Sequence, residues 1–130
     1  MNIRGKEYGM LMTVKARSRI RALCPGEDFT KLDEYLDGPE EFDRTTKIII
    51  ILSESHEDHK SYWDAQEGKT YEPNPLTEEM IENLTMEEHM DLQREAVDVI
   101  RKGLGITVET EEPKEGKGKK AKAAAEEKQN

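Results

Sequence analysis

The residues best suited to chemistry lie in one short stretch, His56-Glu57-Asp58-His59. Two histidines three positions apart face the same side of a helix, and imidazole with carboxylate is a ligand set that zinc accepts. The zinc-protease pattern H-E-x-x-H, however, has one more residue between its histidines, and no third strong ligand is spaced nearby. The stretch is more typical of a solvated helix end, so we expect no metal here.

Nucleophilic catalysis and phosphate binding are not indicated either. Ser53 and Ser55 are close to His56 in sequence, but a catalytic triad is a spatial arrangement that adjacent positions on one helix do not build. The glycine-lysine run at 116–119 lacks the flanking strand and helix of a phosphate-binding loop. The sequence therefore predicts a non-enzymatic protein without a cofactor.

Composition and charge limit the class of protein further. The chain has 130 residues, of which 34% are hydrophobic, 38% charged and 5% aromatic, which predicts one domain with a modest core. Six lysines and three glutamates give residues 113–130 a net charge of +3, and this leaves −12 on residues 1–112. So acidic a body predicts no nucleic-acid partner. The basic run at 15–21 is expected to be a solvated helix face.

The single cysteine and the hydropathy pattern predict the compartment. Cys24 is the only cysteine, so no intrachain disulfide can form, which favours a reducing environment. Its apolar neighbours predict a small buried side chain. The N-terminus has no apolar segment typical of a signal peptide. The longest apolar run, at 48–52, is too short to span a bilayer. We therefore expect a cytoplasmic protein that does not bind membranes.

The order of apolar and turn residues predicts a mainly α fold with a small N-terminal β-hairpin. A compact helical domain at 1–108 is expected to precede a disordered tail at 109–130, which is rich in Lys, Glu and Ala. The hairpin is predicted within residues 1–12, and residues 68–75 are predicted to be a loop with two prolines. The predicted helices are 14–23 with Thr13 as its cap, one near 29–36, one within 39–67, and two between 76 and 104.

The segment at 39–67 is the ambiguous one, because its isoleucine run alone would suit a buried strand. The flanks of that run contain no turn residue, so a long helix through the core is favoured. Its predicted inward-facing residues are Phe42, Thr46, Ile49, Ile50 and Trp63.

The last two helices carry distinct start signals. Thr77 is the predicted cap of the first, with Leu76 and Ile81 at the two positions of a hydrophobic staple. Thr85 and Glu88 have the spacing of a capping box at the start of the second.

Apolar side chains on these two helices form a candidate protein-binding surface. Each of these residues, considered alone, could instead pack in the protein's own core. Methionine side chains, however, adapt to varied helical partners, which favours a binding role. A charged chain with such a face suits a holdase or an adaptor better than an enzyme. The candidates are Met80, Leu84, Met86, Met90 and Leu92.

Four short stretches and the tail composition carry a resemblance to a known family. They are the chain start at 2–8, the helix starts at 13–16 and 76–79, and the helix end at 101–104, followed by the Lys/Glu/Ala/Gly tail. This layout resembles the tail assembly chaperones of long, non-contractile-tailed bacteriophages. It extends over residues 1–130 and contains no invariant catalytic motif.

The resemblance implies a helical domain that binds the tape measure protein in the host cell cytoplasm and keeps it soluble. It also implies recruitment of tail tube protein around that client, and absence from the finished virion. Many such proteins have a second, longer form made by a programmed frameshift, and Lys119-Lys120 is compatible with a slippery codon pair. A homo-oligomer is left open. The alternatives are another small phage protein, such as a head–tail connector or neck adaptor, and a metal-dependent enzyme using His56 and His59.

Overall fold

The computed structural model of the chain describes residues 1–105. The predicted domain boundary at 108 and the predicted disordered tail at 109–130 lie outside the described residues. Met1–Ile100 forms one compact unit, and a second unit begins at Arg101.

The N-terminus forms the predicted hairpin. Its strands, β1 (Asn2–Ile3) and β2 (Lys6–Glu7), pair antiparallel with Asn2 opposite Glu7. The two residues between the strands, Arg4 and Gly5, have φ angles of 54° and 85°. Positive φ at both positions is the geometry of a type I′ turn, and it matches the twist of the flanking strands.

Helices make up most of the remaining described chain, which confirms the mainly α fold. Two single 3₁₀ turns precede the second helix, and the later one takes up the first three residues of the predicted element at 29–36, so that element is α-helical only in its last five residues. The α-helices are α1 (Val14–Leu23), α2 (Leu32–Leu36), α3 (Glu41–Gln66), α4 (Glu78–Glu82) and α5 (Met86–Gly103), and the 3₁₀ turns are Pro25–Glu27 and Phe29–Lys31.

Helix α3 runs through the core, as predicted. Ile49 and Leu52 on it are fully buried, as is Ile20 on α1. Cys24 at the end of α1 is also buried, as predicted, and its Sγ donates a 3.4 Å hydrogen bond to the Ile20 carbonyl.

The two ends of α3 correct the sequence prediction. Of the predicted inward-facing residues, Thr46 and Ile49 are buried and Ile50 is partly buried, but Phe42 and Trp63 are exposed. The buried residues of α3 extend only from Thr46 to Glu57. A helix of 26 residues is about 39 Å long, so both ends project past the core.

The predicted helix starts at α4 and α5 are confirmed. Thr77 Oγ1 accepts a 3.2 Å hydrogen bond from the Met80 amide. At α5, Thr85 N donates to Glu88 Oε1 at 2.9 Å and Glu88 N donates to Thr85 Oγ1 at 3.1 Å, which is a complete capping box. The staple residues Leu76 and Ile81 are both buried.

Small hydroxyl side chains of α3 hold three other parts of the chain against it. The bonds from Thr46 and Ser53 satisfy polar atoms that burial would otherwise leave without a partner, and all three bonds fix the packing of the elements around α3. Thr46 Oγ1 lies 3.1 Å from His89 Nε2 of α5, Ser53 Oγ accepts a 2.7 Å bond from Leu76 N, and Ser55 Oγ lies 2.6 Å from the Oγ1 of Thr13, the α1 cap.

Candidate functional site

Helix α5 presents an exposed apolar strip, the α5 ridge, formed by Met86, Met90 and Val97. These side chains are 64%, 49% and 46% exposed. At about 100° per residue they lie within roughly 40° of one another around the helix axis. Glu87 and the ion-paired Asp91 lie on the solvent side of the same helix. The ridge is therefore an apolar surface beside carboxylates, on a helix whose opposite side is core.

The five predicted binding residues separate into three groups. Met86 and Met90 are exposed, and Met80 and Leu84 are partly buried. Leu92 is fully buried, so its assignment to a binding surface is wrong. It is two residues from Met90, about 200° around the helix, and this turns its side chain into the core.

A second exposed apolar feature, the aromatic groove, lies between α1 and the C-terminal half of α3. It encloses about 500 Å³, and most of its lining surface is apolar. Its principal side chains are Val14, Lys15 and Arg19 of α1 and His59, Tyr62 and Trp63 of α3.

The aromatic side chains of this groove contact one another. The rings of Tyr62 and Trp63 meet edge to face with centroids 4.9 Å apart, and His59 lies 6.4 Å from Trp63. Trp63 is 53% exposed and Val14 is 87% exposed. Sequence reasoning missed this groove because it placed Trp63 in the core. The available signal was helical spacing, since Ser55, His59, Tyr62 and Trp63 fall on one face of α3.

Helix α1 beside the groove is basic, and its exposure confirms the predicted solvated face. It contains Lys15, Arg17, Arg19 and Arg21 and no acidic residue. Arg19 pairs with Glu54 of α3 at 2.9 Å. Among residues 1–105, neither Lys15 nor Arg21 has a carboxylate within ion-pair distance.

A buried carboxylate on α3 organises the proline loop. Glu57 Oε1 accepts hydrogen bonds from the Tyr71 hydroxyl at 2.6 Å and from the backbone N–H of Asn74 at 2.8 Å. The other carboxylate oxygen, Oε2, lies 2.9 Å from His56 Nδ1. Burial raises the pKa of Glu57, but the bonds from Tyr71, Asn74 and His56 outweigh it, so the pKa is below the ordinary 4.5. This arrangement fixes the loop against α3, which is a structural role.

The two histidines of the metal-like stretch have different surroundings. His56 contacts Glu57 through Nδ1, and its ring lies so close to Gly9 that an added Cβ would be 2.4 Å from Nε2. His59 instead faces the aromatic groove. In the part of the chain that the structure describes, no group of three or more His, Cys, Asp or Glu side chains could hold a metal ion.

The third histidine, His89, is a core residue. Its Nε2 contacts Thr46, and its ring stacks on Phe42 with centroids 4.2 Å apart. Among residues 1–105, its Nδ1 has no hydrogen-bond partner. Burial lowers the pKa of this imidazole below 6.5, which favours the neutral ring at physiological pH.

Between residues 1 and 105, no helix is both long enough and apolar enough to cross a membrane. Comparison of the chain with protein-family models, curated proteins and solved structures gives no match.

Proposed function

We propose that this protein is a non-enzymatic tail assembly chaperone that binds the tape measure protein of a long-tailed phage. It would keep this client soluble in the host cytoplasm and help to recruit tail tube subunits. The observation that carries the proposal is the α5 ridge, with Met86 and Met90 exposed on a capped helix.

The physical reason is that a long helical client exposes apolar surface until tube subunits cover it. A chaperone for such a client needs apolar side chains that remain accessible and charges that keep the complex in solution. Methionines on a helix offer adaptable contacts, and a few small contacts bind weakly enough to be displaced by the tube protein. The ridge and its neighbouring carboxylates supply both properties.

Co-expression with the tape measure protein of the same phage tests the proposal. The expected result is a higher soluble yield of the tape measure protein and its co-purification with this chain. An unchanged yield without co-purification would contradict the proposal.

Mass spectrometry of purified virions separates this proposal from a connector or neck role. A chaperone is expected to be missing from finished particles, whereas a connector would be present in a fixed copy number.

A further inference from the structure

The aromatic groove has the character of a binding site for one helix of a partner. Trp63 and Val14 expose large apolar surfaces on facing walls of a groove of about 500 Å³. Burying them against another apolar side chain would remove that surface from water. A cavity of this size is large enough for one or two bulky side chains of a docked helix.

The charges on the walls determine which helix fits. Residues 1–105 carry 14 basic and 23 acidic residues, a net charge of −9, yet α1 contributes four basic residues and no acidic one. Lys15 lines the groove without an ion-pair partner among the described residues, and Arg19 has only the exposed pair with Glu54. Asp58 on the opposite wall is the acidic contribution to the lining. A docked helix therefore gains most when its carboxylates lie along α1.

We propose that the aromatic groove binds an acidic amphipathic helix of the client. Its large apolar side chain would lie between Val14 and Trp63, and its carboxylates would face Lys15 and Arg19. The inference rests on the proposed function because it takes the helix to be the client's. It adds a second contact surface to the α5 ridge, and two linked weak contacts bind a long client more tightly than either alone.

Trp63 provides a direct reporter of this site, because it is the only tryptophan in the chain and is half exposed. The probes are two synthetic helical peptides of about 18 residues without tryptophan, sharing one Leu/Phe face and differing only in Glu or Lys at the flanking positions. We expect the Glu-flanked peptide to shift Trp63 emission to shorter wavelength. It should bind about tenfold more tightly than the Lys-flanked peptide at low salt, and this preference should shrink at high salt.

Matched variants assign the preference to the groove. Lys15→Glu should weaken binding of the Glu-flanked peptide about fivefold, whereas Lys31→Glu, the same charge change at an exposed site outside the groove lining, should change it less than about twofold. Circular dichroism of each variant checks that the fold is retained. Equal binding of the two peptides, or equal effects of the two variants, would overturn the inference.

Other occupants give different results, each of which would also overturn it. A shift of Trp63 emission that depends on protein concentration alone would assign the groove to a second copy of this chain. The same shift on phosphatidylglycerol vesicles, with neither peptide active, would assign it to a membrane surface. The peptide experiment contains no tape measure protein, so it can succeed when the co-expression test fails. That combination would show that the groove prefers acidic helices but that the tape measure protein is not the client.

Discussion

The Tyr71 hydroxyl donates a 2.6 Å hydrogen bond to the buried Glu57 carboxylate. This bond to Glu57, together with burial and the nearby negative charge, raises the pKa of Tyr71 to about 12, so the phenol remains a donor at any physiological pH. Tyr71 lies in the loop between α3 and α4, and Glu57 lies at the end of the buried part of α3. The pair therefore joins an irregular segment of the chain to its central helix.

Removing the Tyr71 hydroxyl should destabilise the fold. Tyr71→Phe leaves the Glu57 carboxylate with one donor fewer, and we expect the free energy of unfolding to fall by about 1–3 kcal/mol. Urea denaturation followed by circular dichroism measures this change. Tyr62→Phe is the matched control, because Tyr62 is exposed and its loss of a hydroxyl should change stability by less than about 0.5 kcal/mol. Equal effects of the two variants would contradict the assigned role of Glu57.

Acidification should destabilise the protein through His89. Its pKa is below the ordinary 6.5 in the fold because burial disfavours the charged ring, so the unfolded chain binds a proton more readily. This contribution to stability is complete above pH 6.5 and is lost as the pH falls through the lower folded-state value. Urea midpoints measured between pH 7.5 and 5 should decrease. In His89→Gln the urea midpoint should depend less on pH. His59→Gln, at an exposed position, should leave the pH dependence of the midpoint unchanged.

Position 9 favours glycine because the His56 ring occupies the space that a side chain would take. A Cβ at that position would lie 2.4 Å from His56 Nε2, so Gly9→Ala should cost about 1–3 kcal/mol of stability. In a His56→Ala background the same substitution should cost much less, and a double-mutant cycle by urea denaturation measures the coupling. Additive effects of the two substitutions would show that this contact is not responsible.

The two sides of α5 should respond differently to truncation. Leu92→Ala removes a fully buried side chain and should cost about 2–5 kcal/mol, whereas Met90→Ala, at a half-exposed position, should cost less than about 1 kcal/mol. Thermal and urea denaturation provide the comparison. A large loss at Met90 would place it in the core and remove it from the proposed client surface.

Local signals in the sequence account for most of the fold. The capping box of Thr85 and Glu88 and the cap at Thr13 depend on residues three positions apart, so neighbouring residues were sufficient to predict them. The hairpin was predictable from the glycine in its turn, although the turn lies at Arg4-Gly5, one residue before the predicted Gly5-Lys6. The flanks of the isoleucine run predict a helix, although its own residues favour strands.

The candidate site was less predictable because exposure depends on distant parts of the chain. Helical spacing groups Phe42 and Trp63 with buried residues of α3, but it does not show where the neighbouring elements end and the helix projects past them. Leu92 is a different case, because helical spacing alone places it about 200° from Met90, on the side opposite the exposed methionines. The bonds of Glu57 to Tyr71 and Asn74 link residues 14 and 17 positions apart, a spacing that carries no local pattern.

The most direct test of the proposed chaperone role is the soluble fraction of co-expressed tape measure protein with a ridge variant. Met86→Asp combined with Met90→Asp keeps the core intact because both side chains are exposed, and should reduce that fraction to the level seen without this chain. Lys69→Gln combined with Thr70→Asp makes the same charge change on an exposed loop and should leave the fraction at the wild-type level. An undiminished soluble fraction with the folded ridge variant would contradict client capture by α5.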